Sequence, residues 1–243
     1  MKYLIFNLKS NKTLEEMKSY EEEFKSFDSE SELIICPSYP FYQCFRGSNY
    51  ILGAQDVSAY PPGTYTGEVN AEQLSSLNVK YVIIGHSERR NYFKEDASLL
   101  KNKITRALAN NLQVVYCIGE NIEEYTEKKT KEVLKTQIES VLGSINRSEV
   151  EKIIIAYEPL WAISDGITPA PIPTEEEIEK VALFIKKLIK ESYNADIEVL
   201  YGGSANDTNI DSLKSIASIE GLLVGGASLD TNKIKKMVES VNS

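Results

Sequence analysis

The chain has 243 residues, 42% of them hydrophobic and 26% charged, with a net charge of −9 and a pI of about 4.9. That composition suits a globular protein able to bury a sizeable core, and the acidic balance argues against nonspecific binding to nucleic acid or to an anionic membrane. It leaves room for an anionic small substrate, because a local pocket can be positive. The three cysteines, Cys36, Cys44 and Cys117, form no Cys-x-x-Cys pair and suggest neither a zinc site nor a disulfide framework. Free thiols suit a reducing cytosol, and a cytoplasmic location is expected. The apolar run at Met1–Asn7 is too short for a signal peptide, and no run is long enough to span a membrane.

Apolar runs and helical stripes alternate along the chain. Tyr3–Phe6 reads as a first buried strand that ends at Asn7 and Lys9, and a charged helix follows from about Thr13 to Phe27. Leu33–Cys36 is a second strand, followed by a short helix near Phe41–Phe45. Tyr50–Gln55 is a third strand, and a long polar loop, Asp56–Gly67, comes after it. A short helix at Ala71–Leu77 leads to a fourth strand, Lys80–Ile84, which ends abruptly in Gly85-His86-Ser87-Glu88-Arg89-Arg90.

The second half keeps the rhythm. Leu99, Leu100, Ile104, Ala107 and Leu108 have helical spacing, and Leu112–Ile118 is a strand ending in Gly119-Glu120. A helix is expected from near Ile122 to Leu142. Ile153–Tyr157 is a strand that ends at Glu158-Pro159. Thr174-Glu175-Glu176-Glu177 is a capping box opening a helix with Ile178, Val181, Ala182, Ile185, Leu188 and Ile189 on one stripe. Ile197–Tyr201 is a strand ending in Gly202-Gly203-Ser204, and a helix through Ile210 and Leu213 follows. Leu222–Val224 is the last strand, ending in Gly225-Gly226, before a helix near Asp230–Val241.

Eight strand-then-helix units with strands apolar on both faces predict a parallel sheet, and eight units in a chain of this length predict a single α/β domain over residues 1–243, a (β/α)8 barrel. An open doubly wound sheet is the runner-up, but the first βα turn lacks the Gly-x-Gly-x-x-Gly fingerprint.

Barrels of this kind carry their chemistry at the C-terminal strand ends. Here those ends supply Asn7 and Lys9, then His86 (the only histidine) with Glu88, then Glu158, Ser204 and Gly225-Gly226. The set contains a cation, an imidazole, a carboxylate and glycine turns, but no Ser-His-Asp arrangement. It suits proton abstraction beside a carbonyl, with a carboxylate base, an electrophile for the developing oxyanion and an anion cradle. Taken singly, Lys9 could be a solvated surface charge, Glu158 a strand terminator and the glycine pairs ordinary turns. Their convergence on one barrel face favours a site.

Asn7-Leu8-Lys9, Thr66-Gly67-Glu68, Gly85–Arg90, Cys117–Glu120, Ala156–Ile163, Tyr201–Ser204 and Leu223–Leu229 together resemble the triosephosphate isomerase family, from end to end of the chain. The resemblance implies interconversion of dihydroxyacetone phosphate and glyceraldehyde 3-phosphate through an enediolate, without a cofactor or metal. It implies Glu158 as base, His86 as a neutral electrophile and Lys9 as the cation for substrate and enediolate. Asn7, Ser204, Gly225, Gly226 and the Ser164 amide would bind substrate, Glu88 would fix the lysine, and Cys117 would stand beside the base. Residues 159–173 match the family's lid. Its tip departs from the usual Gly-Thr-Gly-Lys, reading Ser164-Asp165-Gly166-Ile167, and Leu8 replaces a usual tryptophan. The long loop carrying Thr66 matches the interlocking loop of a homodimer. Two other expectations remain open on the sequence: another phosphosugar isomerase, and a silent barrel acting as a binding or surface protein.

Overall fold

Strands that are apolar at every position need two apolar surroundings, and a closed barrel provides them. In the computed structural model, which describes residues 1–45, 47–163 and 171–243, β1 (Tyr3–Asn7), β2 (Glu32–Cys36), β3 (Ile51–Ala54), β4 (Tyr81–Ile84), β5 (Gln113–Ile118), β6 (Ile153–Tyr157), β7 (Glu198–Tyr201) and β8 (Gly221–Val224) close in sequence order. Every pairing is parallel, and β8 returns to β1 with Leu4 opposite Leu222. The (β/α)8 expectation is confirmed.

Successive side chains on a strand point to opposite faces. One set, including Ile5, Ile34, Ile83, Val115, Cys117, Ala156, Leu200 and Leu223, fills the barrel interior. The alternate set, including Leu4, Phe6, Ile35, Val82, Ile84, Val114 and Ile155, packs outward against the helices. Tyr3 and Tyr81 donate to Glu198 and Glu32 at 2.6 and 2.7 Å and occupy the N-terminal end of the interior. The polar chemistry collects at the opposite end.

The outer layer comprises α1 (Leu14–Phe24), α2 (Ala71–Ser76), α3 (Ser87–Tyr92), α4 (Ala97–Ala109), α5 (Ile122–Thr126), α6 (Thr130–Leu142), α7 (Arg147–Val150), α8 (Glu175–Tyr193), α9 (Ile210–Lys214) and α10 (Thr231–Val241). The capping box at α8 forms: the Thr174 amide donates to Glu177 Oε2 at 2.8 Å and the Glu177 amide donates to Thr174 Oγ1 at 3.3 Å. The single helix expected from Ile122 to Leu142 is two helices. Lys128 sits between them at φ 60°, a left-handed conformation that cannot continue a right-handed helix. The short helix after β2 is a 3-10 helix, Tyr39–Cys44, with Pro40 in its first turn.

Candidate active site

The end of β1 sets the position of the cation. Lys9 adopts φ 51°, a costly conformation for a residue with a side chain. Three neighbours hold it there. The Lys9 amide donates to Asn7 Oδ1 at 3.0 Å, while the Lys9 carbonyl accepts from Ser38 Oγ at 2.9 Å and from Gln55 Nε2 at 2.8 Å. Its ammonium then reaches Glu88 Oε1 at 2.6 Å. Glu88, expected to fix the lysine, is its ion-pair partner here.

At the end of β4 the chain turns sharply. Gly85 has φ +76°, a conformation that favours glycine, and a Cβ there would also crowd the Arg90 guanidinium at 3.0 Å. The turn makes His86 the N-cap of α3, and the Glu88 amide donates to His86 Nδ1 at 3.3 Å. That bond needs a lone pair on Nδ1, so the ring proton of the neutral imidazole resides on Nε2. Nε2 is the atom turned toward the carboxylate of Glu158, 3.4 Å from Oε1.

Glu158 follows β6 and is 2% exposed. The amide of Ser87 donates to its Oε2 at 3.1 Å. The Cys117 thiol hydrogen-bonds to the same carboxylate; burial, with the carboxylate's charge adding to it, pushes this thiol well up, so it remains a donor. Gly202 at the end of β7 leaves room for the carboxylate stem, since a Cβ there would lie 2.8 Å from Glu158 Cγ.

Asn7, Lys9, His86 and Glu158 open into one cavity of about 380 Å³, whose far wall is made by Ser204, Gly225 and Gly226. The wall offers backbone amides and glycine surface, the form of an anion cradle. Ser204 borders the cavity, but its amide and hydroxyl both donate to Ala162 O, at 3.2 and 2.7 Å. It thus ties the β7 turn to the segment that follows Glu158.

The structure brings together all but two of the expected site residues. Thr66 is exposed in the long loop and does not border this cavity. Ser164 and the rest of the lid tip lie outside the described residues. Two participants were not expected from the sequence. Lys233 of α10 borders the cavity and adds a second cation near the cradle; in sequence it is one of several lysines on an exposed helix and carries no distinguishing signal. Glu120 accepts from Trp161 Nε1 and from the Tyr157 hydroxyl, both at 3.0 Å, tying the end of β5 to the segment that follows Glu158. Its signal was the Gly119-Glu120 step at a strand end. Among the described residues no group of three or more His, Cys, Asp or Glu side chains is placed to hold a metal, and no helix is long and apolar enough to cross a membrane.

A family model described as triosephosphate isomerase matches residues 2–241. The chain is similar to the triosephosphate isomerase of Thermodesulfovibrio yellowstonii, 39% identical over 249 residues that cover 98% of each chain. It is 40% identical over 253 residues to the one of Dictyoglomus thermophilum, covering 98% of this chain and 99% of that protein. The one of Mesomycoplasma hyopneumoniae is 40% identical over 253 residues, covering 100% of this chain and 99% of that protein.

Proposed function

We infer the chemistry of the site from the premise that the chain belongs to the triosephosphate isomerase family. Its activity is an intramolecular aldose–ketose isomerisation between dihydroxyacetone phosphate and D-glyceraldehyde 3-phosphate. One domain, residues 1–243, carries it. The reaction moves protons between neighbouring carbons and oxygens and transfers no electrons or groups, so no cofactor is needed.

The observation that carries the residue assignment is the approach of His86 Nε2 to within 3.4 Å of Glu158 Oε1 in the cavity that also holds Lys9. The Glu158 carboxylate removes the proton from the carbon beside the substrate carbonyl. Charge moves onto the carbonyl oxygen, where His86 Nε2–H donates a hydrogen bond and the Lys9 ammonium supplies positive charge. The protonated Glu158 then returns its proton to the adjacent carbon, while His86 moves the oxygen-bound proton. Asn7 supports the lysine and the oxygen end of the substrate, and the amides at Gly225 and Gly226 receive the phosphate beside Ser204, which borders the same wall. Glu158 is 2% exposed, so the proton transfer takes place away from bulk water.

A homodimer fits the same reading. Tyr60 and Tyr65 stack at 4.5 Å in the long loop and are 44% and 40% exposed, and Tyr92 and Phe93 expose 78% and 65% of their surface. Aromatic side chains left in water favour an interface with a second copy. The three free thiols and the glycolytic chemistry favour a cytoplasmic location.

A coupled isomerisation assay on the wild-type chain and on Glu158→Gln tests the assignment. Loss of a positioned base should cost about 10²–10⁴-fold in kcat. Equal rates in the two would remove Glu158 from the role, and an inactive wild type would overturn the function.

A further inference from the structure

Glu158 separates two cavities. The first, described above, holds Lys9 and His86. The second, about 200 Å³, lies behind the carboxylate and is bordered by Ser87, Arg90, Asn91, Cys117 and Leu160 as well as by Glu158. The two carboxylate oxygens are divided between them. Oε1 faces His86 Nε2, on the wall of the front cavity, and Oε2 accepts from the amide of Ser87, on the wall of the rear one.

The rear cavity is built from polar groups in fixed positions. Arg90 Nε donates to Gly85 O at 2.8 Å, and another of its nitrogens donates to Cys117 O at 2.9 Å. The Gln137 side-chain amide accepts from Gly119 N at 3.0 Å and donates to Gly119 O at 2.8 Å. A polar space of this size accommodates several waters at roughly 30 Å³ each. Asn91 and Asn121 are exposed and also border the cavity, which puts both at its mouth, and Asn91 is the one carried by the helix that holds Ser87. It follows Ser87 by four residues on α3, so the two share one helix face.

We propose that the rear cavity is the port through which the proton held by Glu158 exchanges with solvent during turnover, with Asn91 as the residue that sets access to it. The inference rests on Glu158 being the base. Bound substrate fills the front cavity and displaces water from Oε1. Water in the rear cavity still reaches the Oε2 side. The step is an exchange of hydrogens on oxygen: the carboxylic O–H of Glu158 and D2O give O–D and HOD, with no change in electrons and no other bond broken. Return of the original proton to the enediolate competes with this exchange. Cys117 does not intercept the proton, because its thiol is already held in the protonated form. The fraction of product carrying a solvent hydrogen is therefore governed from behind the base, by a residue that never touches substrate.

The test is isomerisation of unlabelled dihydroxyacetone phosphate in D2O, with the product trapped and its deuterium content read by NMR, for wild type, Asn91→Phe and Asn91→Ala. The bulky side chain should lower the exchanged fraction by about twofold or more and the small one should raise it, with kcat/KM held within about twofold throughout, because water access rather than chemistry is altered. An exchanged fraction that is the same in wild type and Asn91→Ala, at normal turnover, overturns the port. If Asn91→Phe fails to fold, the Ala variant alone decides. Failure of the wild type to isomerise would instead defeat the functional reading on which the port rests, and the same assay records that separately.

Discussion

His86 Nε2 lies 3.4 Å from Glu158 Oε1 although the two residues follow β4 and β6, with a complete strand–helix unit between them. One turn accounts for the approach. The residue that carries the imidazole is followed directly by Ser87, whose amide grips the other carboxylate oxygen at 3.1 Å. The Glu88 amide, next in the chain, orients the ring through Nδ1. Three consecutive residues therefore set the imidazole, its tautomer and the position of the carboxylate.

Shortening the base by one methylene tests how narrow that placement is. In Glu158→Asp the carboxylate withdraws by about 1 Å from the reacting carbon, and a displacement of that size costs on the order of 10²-fold in kcat. KM should change little, because the phosphate cradle and Lys9 are untouched. Steady-state kinetics on the purified variant give the answer. A loss confined to KM would mean that Glu158 binds substrate rather than moving a proton.

Lys9 offers a separation of stability from activity. Its φ of 51° strains a residue bearing a Cβ by about 1 kcal/mol or somewhat more, and glycine is free of that strain. The ion pair it would lose, to Glu88, is partly solvated and worth under about 1 kcal/mol. Lys9→Gly should leave Tm unchanged or slightly raised while activity falls by about 10²–10³-fold. A large drop in Tm would show that the contacts of the lysine, not its backbone, dominate its contribution to the fold.

The parts of this molecule that were legible in the sequence are those in which one residue type has one use. The strands were legible because burial on both faces demands continuous apolar runs, as in Ile153-Ile154-Ile155. The strand-end polar residues were legible because a lone histidine or glutamate after such a run has few structural uses. The helix break at Lys128 was not, since a left-handed lysine leaves no compositional mark and tertiary packing alone sets it there. Lys233 was hidden for a related reason: its place at the cavity depends on how α10 is docked, not on its neighbours in sequence. Ser204 was expected to bind substrate, and its bonds to Ala162 O come from a meeting of two loops 42 positions apart that no local pattern encodes. The second cavity behind Glu158 is likewise a property of three strand ends meeting, and no local pattern encodes it.

Gly202→Ala should act on the base without touching it chemically. The new Cβ would come within 2.8 Å of Glu158 Cγ, closer than side-chain carbons approach. The flexible carboxylate stem gives way, and the base moves off its line to substrate. A kcat loss of about 10-fold to 10²-fold is expected with an unchanged circular dichroism spectrum. Normal kcat would mean that the stem has an alternative path that preserves the geometry.

The long loop is attached to the site by a buried charge network. Lys103 reaches Asp56 Oδ1 at 2.6 Å and Glu95 Oε1 at 2.5 Å, while Arg89 Nε reaches the same two carboxylates at 2.8 and 2.6 Å. Asp56 opens the loop, and Arg89 follows the Glu88 that fixes Lys9. Burial is the largest influence on Asp56 and raises its carboxyl above the ordinary 3.8, with Lys103 the main opposing one. Lys103→Met removes that opposition and leaves two buried carboxylates facing one guanidinium, a loss of about 3–5 kcal/mol. The sign of its pH dependence follows from the raised folded-state value. A carboxyl of this kind contributes stability below its unfolded pKa and loses it as pH rises through the folded one. The deficit of the variant should therefore be smallest in mild acid and grow toward neutrality. Urea unfolding of both proteins at matched chain concentration, across that range, measures it. A deficit independent of pH would show that the Asp56 carboxylate does not depend on Lys103 for its charge.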